Sequence, residues 1–165
     1  MSPALVFRSG ALITALGITA GAFGSHGLQN AQPPLTPRQI SSFGVASNYL
    51  IYNGLALLAI SFHPGFLAGA GTRRYKVAAG MIAGGAVVFS GSIFALVLGR
   101  KWEGVKVLGP VTPLGGLAMI AGYIALAFLA LYPPELDTPA EGSAPDERTA
   151  LLQGEATQEH NGVAV

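Results

Sequence analysis

Few side chains in this sequence could carry out a reaction, and their positions do not converge. The only histidines are His26, His63 and His160, there is no cysteine, and no Asp or Glu precedes Glu103. A nucleophilic mechanism needs a hydroxyl or thiol beside a positioned base. A metal centre needs several His, Cys or carboxylate ligands at close spacing. Neither pattern occurs. A catalytic carboxylate pair would have to draw on Glu103 and the remote C-terminal stretch. The glycine-rich runs lie inside apolar segments and form no phosphate-cradling loop. These residues point away from an enzyme, a cofactor or a bound metal. A net charge of +1 supplies no electrostatic footprint for nucleic acid.

What remains is a set of polar residues within apolar surroundings: His26, Asn48, Tyr49, Tyr52, Asn53, Ser90, Ser92 and Thr112. An ionisable group in such a setting is a functional hypothesis by default. Tyr49, Tyr52 and Asn53 are three and four residues apart, which places them on one helix face. His26, near the end of its own segment, can reach headgroups or water there, or reach that face and hydrogen-bond to it as a neutral imidazole. That is a structural role in preference to a titrating one.

The elements that position these residues are read from composition. Of 165 residues, 51% are hydrophobic and only 10% charged, against about 25% charged in an ordinary soluble domain. Apart from Glu103, all the acids lie at Glu135 or beyond. Four apolar segments free of Asp, Glu, Lys and Arg run over residues 11–28, 43–62, 77–98 and 113–132. Each is long enough to cross a hydrocarbon core of about 30 Å as a helix. The fold class expected is an all-α, integral-membrane four-helix bundle over residues 1–132, in contact with the lipid bilayer. A disordered, acidic tail is expected over 133–165. Prolines and basic residues mark the breaks. Thr112 suits an N-cap and Pro113 the first helical position. An alternative for the first segment is a cleaved signal peptide ending near Ala22-Phe23-Gly24.

Small residues supply the expected packing faces. Gly17 and Gly21, Gly80 and Gly84, and Ala118 and Gly122 are each four apart, and Gly91 lies in the third segment. Such steps let a second backbone dock closely. The same faces would serve contacts within the monomer, a homo-oligomer, or an unknown membrane-protein partner. With four spans both termini share one side, but the basic residues divide too evenly to fix which. Glu147, Leu151 and Leu152 fit the acidic dileucine pattern that adaptor complexes read in the cytosol. This pattern predicts cytosolic termini and traffic to a vacuolar, lysosomal or other endomembrane, with the plasma membrane as the alternative.

Several strings occur in a familiar order: Gly21-Ala-Phe-Gly-Ser-His-Gly-Leu28, Tyr49-x-x-Tyr52-Asn53-Gly54-Leu55-Ala56-Leu57-Leu58, Phe89-Ser-Gly-Ser92, Leu108-Gly-Pro-Val-Thr-Pro-Leu-Gly-Gly116 and Ala121-Gly122-Tyr123. Together they resemble the YgdD-like family of small membrane proteins, which includes the animal transmembrane protein 256. The resemblance covers about residues 9–130. It implies four spans and a retained first segment, and it supplies no reaction. Where family members commonly carry a histidine before the Leu-Ala-Leu-Leu run, this chain has Asn53. That departure fits a structural polar contact better than a titrating site. The function expected is a non-enzymatic accessory or scaffold component. The alternative is a homo-oligomeric channel or transporter for protons, ions or a small solute. Close packing at Gly91 predicts that Gly91→Leu disrupts folding, checked by expression level and thermal stability.

Overall fold

The computed structural model describes residues 2–67 and 72–131, and the tail, including Glu147, Leu151 and Leu152, lies outside the described residues. Within this range the chain forms α1 (Pro3–His26), α2 (Pro37–Ser61), the short α3 (Pro64–Leu67), α4 (Thr72–Leu98) and α5 (Val111–Leu131). Short 3-10 segments at Leu28–Asn30 and Glu103–Leu108 lie in the links between the long helices. Four helices are long and apolar enough to cross a membrane. The protein is a multi-pass, all-helical integral membrane protein.

Local chemistry sets the helix starts. Ser2 caps α1 by accepting a hydrogen bond from the Leu5 N–H at 3.2 Å, with Pro3 following it. Thr36 and Gln39 form a reciprocal capping box, in which Gln39 N–H donates to Thr36 Oγ1 at 3.3 Å and Thr36 N–H to Gln39 Oε1 at 2.9 Å. Each such cap satisfies amide donors that the first helical turn leaves open. Helices α1, α2 and α4 therefore begin before their apolar segments and carry Arg8, Arg38, Arg73, Arg74 and Lys76 in their early turns. Long basic side chains tolerate this position because their stems lie along apolar surface while the charged ends reach the interface. Thr112 is not an N-cap: α5 begins at Val111, and the Thr112 hydroxyl turns back toward Leu108 and Ser92.

The helices pack as two antiparallel hairpins, α1 with α2 and α4 with α5, and the hairpins meet along α2 and α4. Glycine makes both hairpins. A Cβ at Gly10 would lie 2.7 Å from the Gly54 carbonyl oxygen, and one at Gly17 would lie 2.9 Å from the Ile51 nitrogen. The notch at Gly54 holds the Thr14 hydroxyl, which donates to the Gly10 carbonyl at 2.9 Å. In the second hairpin a Cβ at Gly115 would lie 2.5 Å from the Phe89 nitrogen, and one at Gly85 would lie 2.7 Å from the Gly115 oxygen. At Gly122 it would meet Ile82 Cγ1 at 2.7 Å. Gly10, Gly17 and Gly24 are seven residues apart, as are Gly115 and Gly122. A seven-residue step returns to nearly the same face, so each series makes one continuous seam.

Three of the expected packing glycines are not packed. A Cβ at Gly80, Gly84 or Gly91 would meet nothing within 4 Å, and one at Gly21 would meet only Ser47 Cβ at 3.8 Å. The reason is geometric. Helix α4 has two neighbours and uses two faces: Ala78, Ile82 and Gly85 toward α5, and Ala79, Ala83, Ala86 and Ser90 on the buried face that meets α2. Gly84 and Gly91 fall on its exposed remainder. Gly10, Gly54, Gly85 and Gly115 do the work that Gly80, Gly84 and Gly91 were expected to do.

Substituting Gly54 or Gly115 with Ala should therefore destabilise the protein by about 1–3 kcal/mol, the usual cost of overpacking. Gly91→Leu should leave stability within about 0.5 kcal/mol, as for an ordinary surface substitution. Unfolding in mild detergent, compared side by side, checks both.

Candidate functional site

The intramembrane polar residues divide into three groups. The first surrounds Asn53, a buried side chain on α2. Its Nδ2 donates to the Tyr49 carbonyl at 2.7 Å, and its Oδ1 accepts from the Tyr123 hydroxyl on α5 at 2.9 Å. The orientation of the amide is fixed, since a backbone carbonyl can only accept and must face the NH₂ group. Asn53 thus joins the two hairpins. Tyr123 was not among the polar residues picked out from the sequence. Its only sequence signal was a tyrosine beside Gly122, within a span otherwise poor in polar groups. Tyr49 packs against Phe89 of α4, with ring centroids 4.9 Å apart and the rings tilted at 44°, and reinforces the same junction. Tyr52 does not join it. Its side chain faces outward from α2 and is 62% exposed.

The second group lies where α4 meets the start of α5. Ser92 and Thr112 hydroxyls are 2.7 Å apart, Ser92 also lies 2.9 Å from the Phe89 carbonyl, and Thr112 lies 3.3 Å from the Leu108 carbonyl. Two hydroxyl protons serve three contacts. The two shorter are both satisfied when Thr112 donates to Ser92 and Ser92 to Phe89. Two residues before Ser92, on another face of α4, the fully buried Ser90 donates to the Ala46 carbonyl of α2 at 2.8 Å, a second polar tie between hairpins.

The third group is the histidines. His26 does not reach Tyr49, Tyr52 or Asn53. It is exposed in the last turn of α1, and no hydrogen bond to it is present among the described residues. Because α1 and α2 run antiparallel with Gly24 beside Phe43 and Gly54 beside Thr14, His26 lies about twelve residues from the level of Asn53. That is roughly 18 Å at 1.5 Å per residue. His63 is the better-held histidine. Its Nδ1 accepts from the Gly65 N–H at 3.2 Å, and its ring lies 5.1 Å from that of Tyr75. Among the described residues no group of three His, Cys, Asp or Glu side chains could hold a metal ion.

Among the described residues the surface also carries grooves, two of which are flanked by the long helices. One of about 430 Å³ lies between α4 and α5, lined by Arg73, Arg74, Val77, Ala125, Phe128 and Leu129. The other, about 490 Å³, lies where α1, α2 and α4 diverge, with Leu16, Ala20, Val87, Gly91 and Phe94 among its walls. Both are apolar and open sideways, which suits lipid tails.

The family described as "Protein of unknown function (DUF423)" matches residues 20–116, a range reaching from the late turns of α1 to the first turns of α5. The chain belongs to this family. A UPF0382 membrane protein of Schizosaccharomyces pombe is 34% identical over 122 residues, which cover 73% of this chain and 97% of the relative. A UPF0382 membrane protein of Staphylococcus aureus strain RF122 is 38% identical over 117 residues, covering 71% and 87%. One of Bacillus subtilis is 31% identical over 122 residues, covering 74% and 92%. No solved structure matches. The YgdD-like family that the sequence resembles is the same family of membrane proteins.

The Asn53–Tyr123 contact yields a quantitative expectation for this DUF423 member. Tyr123→Phe removes one interhelical hydrogen bond and should cost about 0.6–2 kcal/mol. Asn53→Leu in the Tyr123→Phe background should cost less than in the native background. A double-mutant cycle on unfolding free energy measures the difference; strict additivity would show that the two side chains do not interact.

Proposed function

We propose that the protein acts without catalysis, as an accessory or scaffold component that works through contacts with other proteins in the membrane. The observation that carries this reading is the use of its buried polar groups. Every buried side-chain nitrogen or oxygen among the described residues has a hydrogen-bond partner within the protein. Asn53, Ser90, Ser92 and Thr112 are each committed to a helix carbonyl or a neighbouring hydroxyl. A catalytic site keeps at least one positioned polar group available for substrate. Here these groups stabilise the joins between helices.

The same inventory gives no support to a channel. Ser90 and Ser92 are buried inside the protomer and so cannot line a pore at an oligomer axis. Large apolar side chains such as Leu12, Leu16, Leu117 and Ile120 cover the outside instead.

The compartment and orientation are part of the proposal. The spacing of Glu147, Leu151 and Leu152 supports a cytosolic tail bound by an adaptor complex, and hence cytosolic termini and an endomembrane destination. Reading a dileucine signal requires only that the tail be accessible to that complex.

The test is affinity purification of the tagged, full-length chain from its own membrane in mild detergent, at native abundance. Recovery of a stoichiometric membrane-protein complex is expected, and His26→Gln should leave its composition unchanged. Glutamine keeps hydrogen-bonding capacity but cannot act as a base near neutral pH. A substrate turned over by the purified chain and lost in His26→Gln would contradict the proposal.

A further inference from the structure

We infer that the outward face of α2 is a self-association seam, centred on Asn48 and filled by α2 of a second copy of this chain. The inference deepens the scaffold reading above and rests on it. Ser41, Val45, Asn48, Tyr52, Leu55 and Ala59 follow one another at steps of four, three, four, three and four, and all six are exposed. They lie opposite the side of α2 that Leu50, Gly54 and Leu57 pack into the protein. Alternating steps of four and three make the seam of a left-handed helix pair. Val45, Tyr52 and Leu55 supply apolar and aromatic bulk to it, being 43%, 62% and 50% exposed within one protomer.

Asn48 is what makes this face more than a lipid-facing stripe. It lies inside the apolar segment of α2 that runs over residues 43–62, five residues past its start, and so within the hydrocarbon. Among the described residues its side-chain amide has no hydrogen-bond partner, and hydrocarbon offers none. Two other exposed polar side chains in the spans, Thr19 and Ser25, each donate to the carbonyl four residues back, at 2.9 Å. Asparagine in a lipid-facing position, with donors and acceptors open, is costly unless another protein surface meets it.

The amide also identifies the occupant. It carries both a donor and an acceptor group, so an identical amide is its complement. Two copies inserted in the same direction are related by an axis along the membrane normal. Their α2 helices then run parallel, and each Asn48 faces its counterpart at the same depth. A single asparagine in a parallel seam fixes register and the number of strands.

The experiment uses the full chain in lipid nanodiscs or liposomes, with association read by single-molecule subunit counting. Asn48→Leu should weaken dimerisation roughly three- to thirty-fold, and Asn48→Gln should retain most of it. Because Asn48 lies outside the core, the unfolding midpoint of the leucine variant should match that of the native protein when both are diluted in lipid until monomeric. The chain has no cysteine of its own, so Val45→Cys should form a self-cross-link across the seam, and Leu16→Cys on the outer face of α1 should not. A monomeric native protein, a dimer indifferent to Asn48→Leu, or a failure of Val45→Cys to cross-link would each overturn the seam. A monomer recovered with an unrelated membrane protein would do so too, while leaving the accessory role intact. A seam confirmed in a chain that turns over a substrate would remove the scaffold reading instead.

Discussion

The close approach of two pairs of backbones, at Gly10 and Gly54 and again at Gly85 and Gly115, is the constraint on which the rest of the structure depends. Between helices in lipid the hydrophobic effect supplies no net attraction, because lipid tails are as apolar as leucine. Association must come from dispersion over a large, well-fitted contact and from the few polar bonds available. Removing Cβ at matched positions brings the two helix surfaces together along much of their length. The Thr14 hydroxyl, held by the Gly10 carbonyl, then fills the notch left at Gly54. A side chain larger than hydrogen at any of these positions would separate the hairpin arms and loosen every contact above and below.

Once each hairpin is fixed, its register assigns roles to the remaining residues. Helix α4 is left with an alanine face against α2, narrow enough for Ser90 to reach the Ala46 carbonyl. The same docking places Asn53 opposite Tyr123 and Tyr49 over Phe89, and on the other side sets Phe43 against Phe94 with centroids 4.5 Å apart. At one membrane face the Arg100 guanidinium donates to the Pro33 carbonyl and ties the two interhelical connections together. Lys106 and Glu103 make an ion pair at 3.0 Å nearby, exposed enough to add little. Polar atoms inside thus join helices at Asn53–Tyr123, Ser90–Ala46 and Ser92–Thr112, while large apolar side chains cover most of the outer surface.

Much of this could be read from the sequence, and the parts that could not share one cause. The spans, their number and the helical class follow from apolar runs that lack charge, since lipid leaves a chain no other backbone structure. The helix starts ran further into the basic flanks than the runs suggested, because Ser2 and the Thr36–Gln39 box set them and arginine stems can lie along lipid. Which glycines pack was only half legible. A four-residue step shows that two small residues share a face, but not that a neighbour occupies that face, and on α4 both neighbours lie elsewhere than Gly80 and Gly84. Gly17 and Gly122 do lie on occupied faces. For His26 and Asn53 the missing information was register: composition puts both in the membrane, whereas only the antiparallel pairing of α1 and α2 shows that they sit at different depths. Tyr123 was missed for the same reason, since its partner lies on a helix 70 residues away in sequence.

The arrangement of two glycine-joined hairpins meeting mainly along α2 and α4 is tested most directly by disulfide trapping in native membranes, where a chain without cysteine gives no background. Ala46→Cys paired with Ser90→Cys spans the junction between hairpins and should cross-link within one protomer. Leu16→Cys paired with Leu117→Cys, on the exposed faces of α1 and α5, should not. Efficient trapping of the Leu16–Leu117 pair, with none at Ala46–Ser90, would show a ring in which α1 and α5 are neighbours and would contradict the structure described.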